Sequence, residues 1–243
     1  MDMDRVRAQL APTGSLRAGV NLGNILLVTG KTPAGDPEGV SPDMAAAIAK
    51  RLGVPLTLVP YASPGAVADA LARDEWDIGL IAYEPERART IAFAPAYVEI
   101  EATYLVPAGS DIRTLAEVDR PGIRIAVSDR SAYDLYLTRH LKHAELCRRP
   151  GLAGAFKRFA DEGLEALAGL RPALIDDAAR LPGSRVLEGG FTAVGQAVGS
   201  KPGNPEALAF LTAFVGEARQ SGLVARLIDR HGVTGRLQVA SAP

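Results

Sequence analysis

Three times along this chain a small polar residue stands directly before proline at the head of an amphipathic run: Ser41-Pro42, Ser63-Pro64 and Asn204-Pro205. That pair reads as a helix start. The side-chain oxygen accepts first-turn N–H groups, and proline at the first helical position gives up no hydrogen bond. The first run carries Met44, Ile48 and Leu52 on one face and meets Gly53, suited to a left-handed closing residue. The second turns Val67, Ala70 and Leu71 inward; the third turns Leu208, Leu211, Phe214, Val215 and Ala218 inward before Gly222. Between and beyond them lie short apolar, β-rich runs at 16–20, 56–59, 77–82, 103–106, 124–127, 166–170 and 191–198. Further helices are predicted at 131–143, 152–162, 171–180 and 223–232, the first with Ala132, Leu135, Tyr136 and Leu141 as core positions. Such alternation predicts an α/β fold, and no internal repeat is evident.

Composition narrows the function. A chain of 243 residues holds one large domain or two small ones, and 47% hydrophobic against 23% charged residues supports a core rather than disorder. The 27 basic residues do not exceed the 28 acidic ones, so nothing offsets a phosphate backbone and no nucleic-acid partner is expected. The single cysteine, Cys147, excludes an internal disulfide framework. No run approaches the roughly 18 apolar residues of a membrane span. The opening Met1-Asp-Met-Asp-Arg-Val-Arg lacks the apolar core of a secretory signal. That leaves a cytoplasmic protein, a mature sequence, or a late start site as open explanations.

In open parallel sheets, ligands bind beyond the carboxyl ends of the strands. That rule selects Asn21 and Asn24, the stretch from Ala82 to Arg87, the turn from Ser128 to Ser131, and Leu170-Arg171. Three of these junctions hold an arginine (Arg87, Arg130, Arg171), and Ser131 opens a helix, which favours an anionic ligand such as a carboxylate. The plainer alternative is that these arginines pair with surface acids such as Glu84 and Glu86. His140, His143 and Cys147 would share a face only on a continuous helix, and 145–148 reads as a strand, so no metal and no cofactor is expected. The Gly195 to Lys201 stretch lacks the end of a phosphate loop, and Arg148-Arg149 reads as solvated.

The segment from Asp77-Ile-Gly-Leu-Ile-Ala through Tyr-Glu-Pro-Glu-Arg87 to Ile91-Ala-Phe93 and Tyr97 resembles a signature of solute-binding proteins of polar-amino-acid ABC transporters. These are the bacterial extracellular solute-binding proteins, family 3. Their pattern runs from a strand ending in D-apolar through T-x-x-R to I-x-F-x-x-x-Y. Leu16 to Val20, Gly39 to Gly53, Ile125 to Ser131 and Ser221 to Arg226 follow in the same order, so the resemblance spans about residues 15–233. It implies a two-lobed periplasmic-binding-protein-like fold of type II. Each lobe would be a small mixed sheet flanked by helices, with ligand in the interlobe cleft. Lobe 1 would comprise 13–99 plus 194–237 and lobe 2 100–193, with hinges near 100–103 and 192–194.

The resemblance further implies that Arg87 grips a ligand carboxylate and that Ser131-Ala132 add donors. The departures imply a changed ligand. Asn24 stands where an aromatic residue is usual, Leu80 and Ala82 where hydroxyl residues are, Arg130 where glycine is, and Leu170 where an aspartate takes the ammonium. The expected ligand set is Arg87, Asn24, Ala82, Tyr83, Glu84, Arg130, Ser131, Ala132, Leu170 and Arg171. The expected solute is a small carboxylate whose ammonium site is lost, a dicarboxylate met by Arg87 and by Arg130 or Arg171 being one such solute. A monomeric periplasmic binding protein serving an ABC transporter permease, and no enzyme, is the leading expectation. A cyclohexadienyl-dehydratase-like enzyme using Glu84 or Asp129, or a cytoplasmic sensor module, is the alternative.

Overall fold

The computed structural model describes residues 1–241. In chain order the main elements are helix α1 (Met3–Leu10), strand β1 (Leu16–Asn21), α2 (Val40–Leu52), β2 (Leu56–Tyr61), α3 (Pro64–Ala70), β3 (Ile78–Ala82), β4 (Val98–Val106) and β5 (Arg124–Ser128). Then follow α4 (Ala132–His140), β6 (Glu145–Arg149), α5 (Gly151–Asp161), β7 (Ala166–Leu170), α6 (Arg171–Ala179), β8 (Thr192–Ser200), α7 (Pro205–Gln220) and α8 (Leu223–Arg230). They fall into two compact units, residues 1–99 with 195–243, and residues 100–194.

In the first unit β1 lies between β2 and β3, parallel to both, and β8 runs antiparallel on the far side of β3. In the second, β5 lies between β6 and β7, parallel to both, and β4 runs antiparallel to β7. Each unit thus repeats one plan. A central strand comes first, a helix leads to the strand on one side, and a second helix leads to the strand on the other. That is a topological switch point, the place where open α/β sheets leave room for ligand at the strand carboxyl ends.

A repeat that the sequence hides lies at the opposite, amino ends of the strands. Arg17 in β1 donates its backbone N–H, Nε and Nη2 to the Asp77 carboxylate at 2.9, 3.1 and 2.8 Å. Arg124 in β5 makes the same three bonds to Glu165 at 2.8, 3.0 and 2.8 Å. Each clamp ties the head of a central strand to the residue just before its inner neighbour, β3 in the first unit and β7 in the second. Beside the first clamp the fully buried Trp76 donates its indole N–H to the Val67 carbonyl at 2.8 Å. Its ring lies against Gly19 and Gly79, where an added Cβ would come within 2.9 and 3.0 Å of the indole.

Each of the three polar-residue–proline pairs lies at a helix start, but only Ser63 caps with its side chain, and Asn204 makes no side-chain cap bond. Ser63 caps α3 by accepting the Ala66 N–H, Asn204-Pro205 opens α7, and Gly53 closes α2 at φ 72°. Helix α2, however, begins at Val40 on Gly39, so Ser41 is not its cap; its hydroxyl bonds the buried Tyr97 hydroxyl at 2.9 Å. The core phase of α4 is also shifted from expectation. Tyr133, Asp134 and Leu137 are buried, while Ala132, Leu135, Tyr136 and Leu141 are half-buried, because a buried acid interrupts the apolar pattern. In α7, Ala207 and Phe210 take the place expected for Leu208, which is half-buried.

Helix α1 was not anticipated. Asp2 caps it through the Asp4 and Arg5 N–H groups, and Val6 and Leu10, one turn apart, are fully buried. It packs on α7, where Gln9 accepts the Ala207 N–H at 2.8 Å and donates to Glu206 at 2.6 Å. Leu10→Ala should cost the ligand-free protein about 2–5 kcal/mol, the range for buried leucine truncation. Urea unfolding checks this, and an unchanged midpoint would show that α1 is not part of the cooperative structure.

Candidate ligand-binding site

In the first unit the carboxyl ends of β1 and β3 carry the candidate residues. Asn24 is only 8% exposed, and its Oδ1 accepts the Leu26 N–H at 3.2 Å, so its side chain shapes the turn. The next residue, Ile25, is 52% exposed at this strand end and is not among the residues selected from sequence, because it opens the apolar run Ile25-Leu26-Leu27-Val28 and reads as core. After β3 the chain passes Tyr83, half exposed with its ring edge-to-face on Phe93 at 5.6 Å, and enters the 3₁₀ turn Arg87–Arg89.

Glu84 stands three residues before Arg87, where the pattern T-x-x-R has threonine. Its carboxylate is buried and accepts the Glu86 N–H at 2.8 Å, the bond a capping hydroxyl would make. The Arg87 guanidinium is buried and donates from Nη1 to the Ala82 carbonyl at 2.8 Å. That bond sets the plane of the fork at the end of the sheet. Buried arginine is rare without an acidic or carbonyl partner, and a planar fork at a strand end matches a carboxylate.

In the second unit the switch point lies between β5 and β7, at the head of α4. Arg130, exposed, is one of two non-glycine residues with positive φ among the described residues, at 55°. This left-handed conformation is strained for a residue with a Cβ and persists only when its surroundings impose it. Asp134 imposes it here, since its Oδ2 accepts the Arg130 N–H at 2.8 Å. Ser131 caps α4 by accepting the Asp134 N–H at 3.1 Å, and Arg148 donates to Asp134 from Nε at 3.0 Å. Burial nevertheless pushes the Asp134 carboxyl above its usual range, the bonds from Arg130 and Arg148 opposing. Ala132 is the first helical residue, half-buried.

The third junction is built for structure. Leu170 is buried at the start of α6. Arg171 pairs with Glu101 through Nε and donates from Nη2 to the Leu187 and Gly189 carbonyls at 3.0 and 2.7 Å. Its fork is engaged in fixing the turn after α6. Asp177 is raised by burial and bonded by Arg180 at 3.2 Å, inside the helix rather than at its head. His140 ends α4 stacked on Tyr136, whereas Cys147 is buried in β6, so those two residues stand on separate elements. Among the described residues no helix is long and apolar enough to cross a membrane.

Two α/β units of one connectivity, each with a topological switch point at the carboxyl ends of its parallel strands, define the type II periplasmic-binding-protein class. The chain belongs to the bacterial extracellular solute-binding proteins, family 3, whose family model matches residues 27–234. It has the fold of the Campylobacter jejuni cysteine-binding protein, with TM-score 0.77, 18% identity, and coverage of 96% of this chain and 93% of that one. It likewise superposes on an ancestral amino-acid-binding protein, a precursor of cyclohexadienyl dehydratase, with TM-score 0.76, 22% identity, and coverage of 94% and 97%. By sequence it is 28% identical over 135 residues to the cyclohexadienyl dehydratase of Pseudomonas aeruginosa, covering 54% of this chain and 50% of that enzyme. The match therefore spans about half of that relative's length.

Proposed function

We propose that this protein captures a small carboxylate-containing solute by closure of its two lobes and presents it to an ABC transporter permease, acting as a monomer in the periplasm. The observation that carries this reading is Arg87, a buried guanidinium oriented by the Ala82 carbonyl at a switch point. Leu170, where an acid would meet an ammonium group, favours solutes without one. A thermal-shift panel tests it, with propionate, succinate, glutarate and citrate beside arginine, lysine, glutamine and cysteine. Solute at about 100 times its Kd stabilises the native state by about 2.7 kcal/mol, a readily measured shift. Shifts with organic acids alone support the reading; a shift with an amino acid alone would restore an ammonium site and displace the argument from Leu170.

A second reading is favoured by the dehydratase relative and by a buried carboxylate, Glu84, in the same turn as Arg87. On that reading the protein removes water and carbon dioxide from a hydroxycyclohexadienyl carboxylic acid, with Glu84 giving its proton to the departing hydroxyl while the electron pair of the broken C–CO2 bond completes the aromatic ring. Incubation with such an acid, followed by aromatic absorbance, decides it: product formation lost in Glu84→Gln would make the protein an enzyme.

A further inference from the structure

Tyr133 has no role in the site as described, yet its phenol is the most conspicuous polar group near the head of α4. It is the second residue of the helix and 3% exposed. Helical side chains lean toward the amino end, and the Tyr133 hydroxyl accordingly lies beside the Ser128 and Ser131 hydroxyls. Neither meets it in hydrogen-bonding geometry, and it has no hydrogen-bond partner among the described residues. Burial pushes the phenol up to about 12, with the neighbouring Ser131 and Ser128 hydroxyls opposing and the charges of Asp134 and Asp177 adding to it, so it is a neutral donor near pH 7.

The surroundings say what it lacks. Ser131 Oγ accepts from the Asp134 N–H, and the Arg130 and Ser131 amides are bonded to Asp134 and Ser128. The first-turn amides of Ala132 and Tyr133 have no acceptor within the helix, and the helix dipole is positive there. What this group of donors calls for is an acceptor, and a negative oxygen is the acceptor such a field favours. Phenylalanine would fill the same space without an unmet buried hydroxyl.

Resting on the binding-protein reading above, we propose that Tyr133 is a specificity-determining residue whose hydroxyl donates to a carboxylate oxygen of the solute at the head of α4. The test is Tyr133→Phe, assayed for binding of succinate and propionate by calorimetry and for thermal unfolding without solute, with Arg87→Lys in parallel. The expected result is a loss of about tenfold or more in affinity for at least one acid, the usual range for a hydrogen bond to a charged group, with ligand-free stability unchanged or raised. A loss for both acids means that Tyr133 and Arg87 hold one carboxylate; a loss for succinate alone means that they hold two. Unchanged affinity in Tyr133→Phe, with binding lost in Arg87→Lys, overturns the role of Tyr133 and leaves the reading of Arg87 standing. A lowered melting temperature without solute makes the hydroxyl structural and also overturns it. If neither acid binds the wild-type protein, the carboxylate reading falls and this inference falls with it.

Discussion

Arg87→Lys should weaken binding of the cognate acid by about a hundredfold or more while leaving the unfolding curve of the ligand-free protein nearly in place. Breaking a buried charge-assisted pair removes about 2–5 kcal/mol of binding, and each 1.4 kcal/mol is a factor of ten. Lysine keeps the positive charge but cannot both hold the Ala82 carbonyl and present two parallel N–H groups, as the guanidinium does. Calorimetric titration beside urea unfolding separates the two effects. Retained affinity in a folded Arg87→Lys protein would remove Arg87 from the site. Lost affinity together with a collapse of stability would make it a structural residue instead.

The second large effect concerns the clamps at the closed ends of the sheets. Asp77→Ala is expected to destabilise the ligand-free protein by about 3–5 kcal/mol, the range for removing one partner of a buried pair. The Asp77 side chain is 0% exposed and that of Arg17 20%. Glu165→Ala removes the equivalent acid in the second unit, yet there the side chains are 32% and 40% exposed. Water screens that pair, so its loss should stay below about 1 kcal/mol. Urea denaturation of both variants, followed by a probe in each unit, measures the asymmetry. Equal losses would mean that burial does not set the worth of these two clamps.

Much of the scaffold was legible because it is written in local chemistry. Ser63-Pro64 and Gly53 announce their helix ends through bonds to residues three or four positions away, and continuous apolar runs such as 78–82 and 166–170 mark strands buried on both faces. What escaped depended on distant partners. Ser41 looked like a cap, but a tyrosine 56 residues away claims its hydroxyl. The phase of α4 was misjudged because Asp134, an acid, is buried against an arginine 14 residues further on. The repeat stayed hidden since its two clamps join residues 60 and 41 apart and use different acids.

For the site, the order of motifs gave its position, while the commitments of individual side chains came only from the fold. Arg171 follows a strand end as Arg130 does, but it is held there by Glu101, Leu187 and Gly189, which lie 70, 16 and 18 residues away. Asn24 and Tyr133 show the converse. The first, selected by its place at a strand end, holds a turn; the second, which no motif marks, carries a buried hydroxyl with no hydrogen-bond partner among the described residues.

The division of the chain also has a consequence for synthesis. The second unit is one continuous stretch, 100–194, whereas the first joins 1–99 to 195–243. As the chain leaves the ribosome, β1, β2 and β3 emerge first, yet their sheet waits for β8, and α1 waits for α7 to cover Val6 and Leu10. The later-born unit has all its strands before the earlier-born one does, so it is the unit able to close first. For about the length of the inserted segment, the nascent chain carries a half-built sheet whose apolar edge at 78–82 is uncovered, and that interval is when a chaperone or a translocation machine has the most to grip.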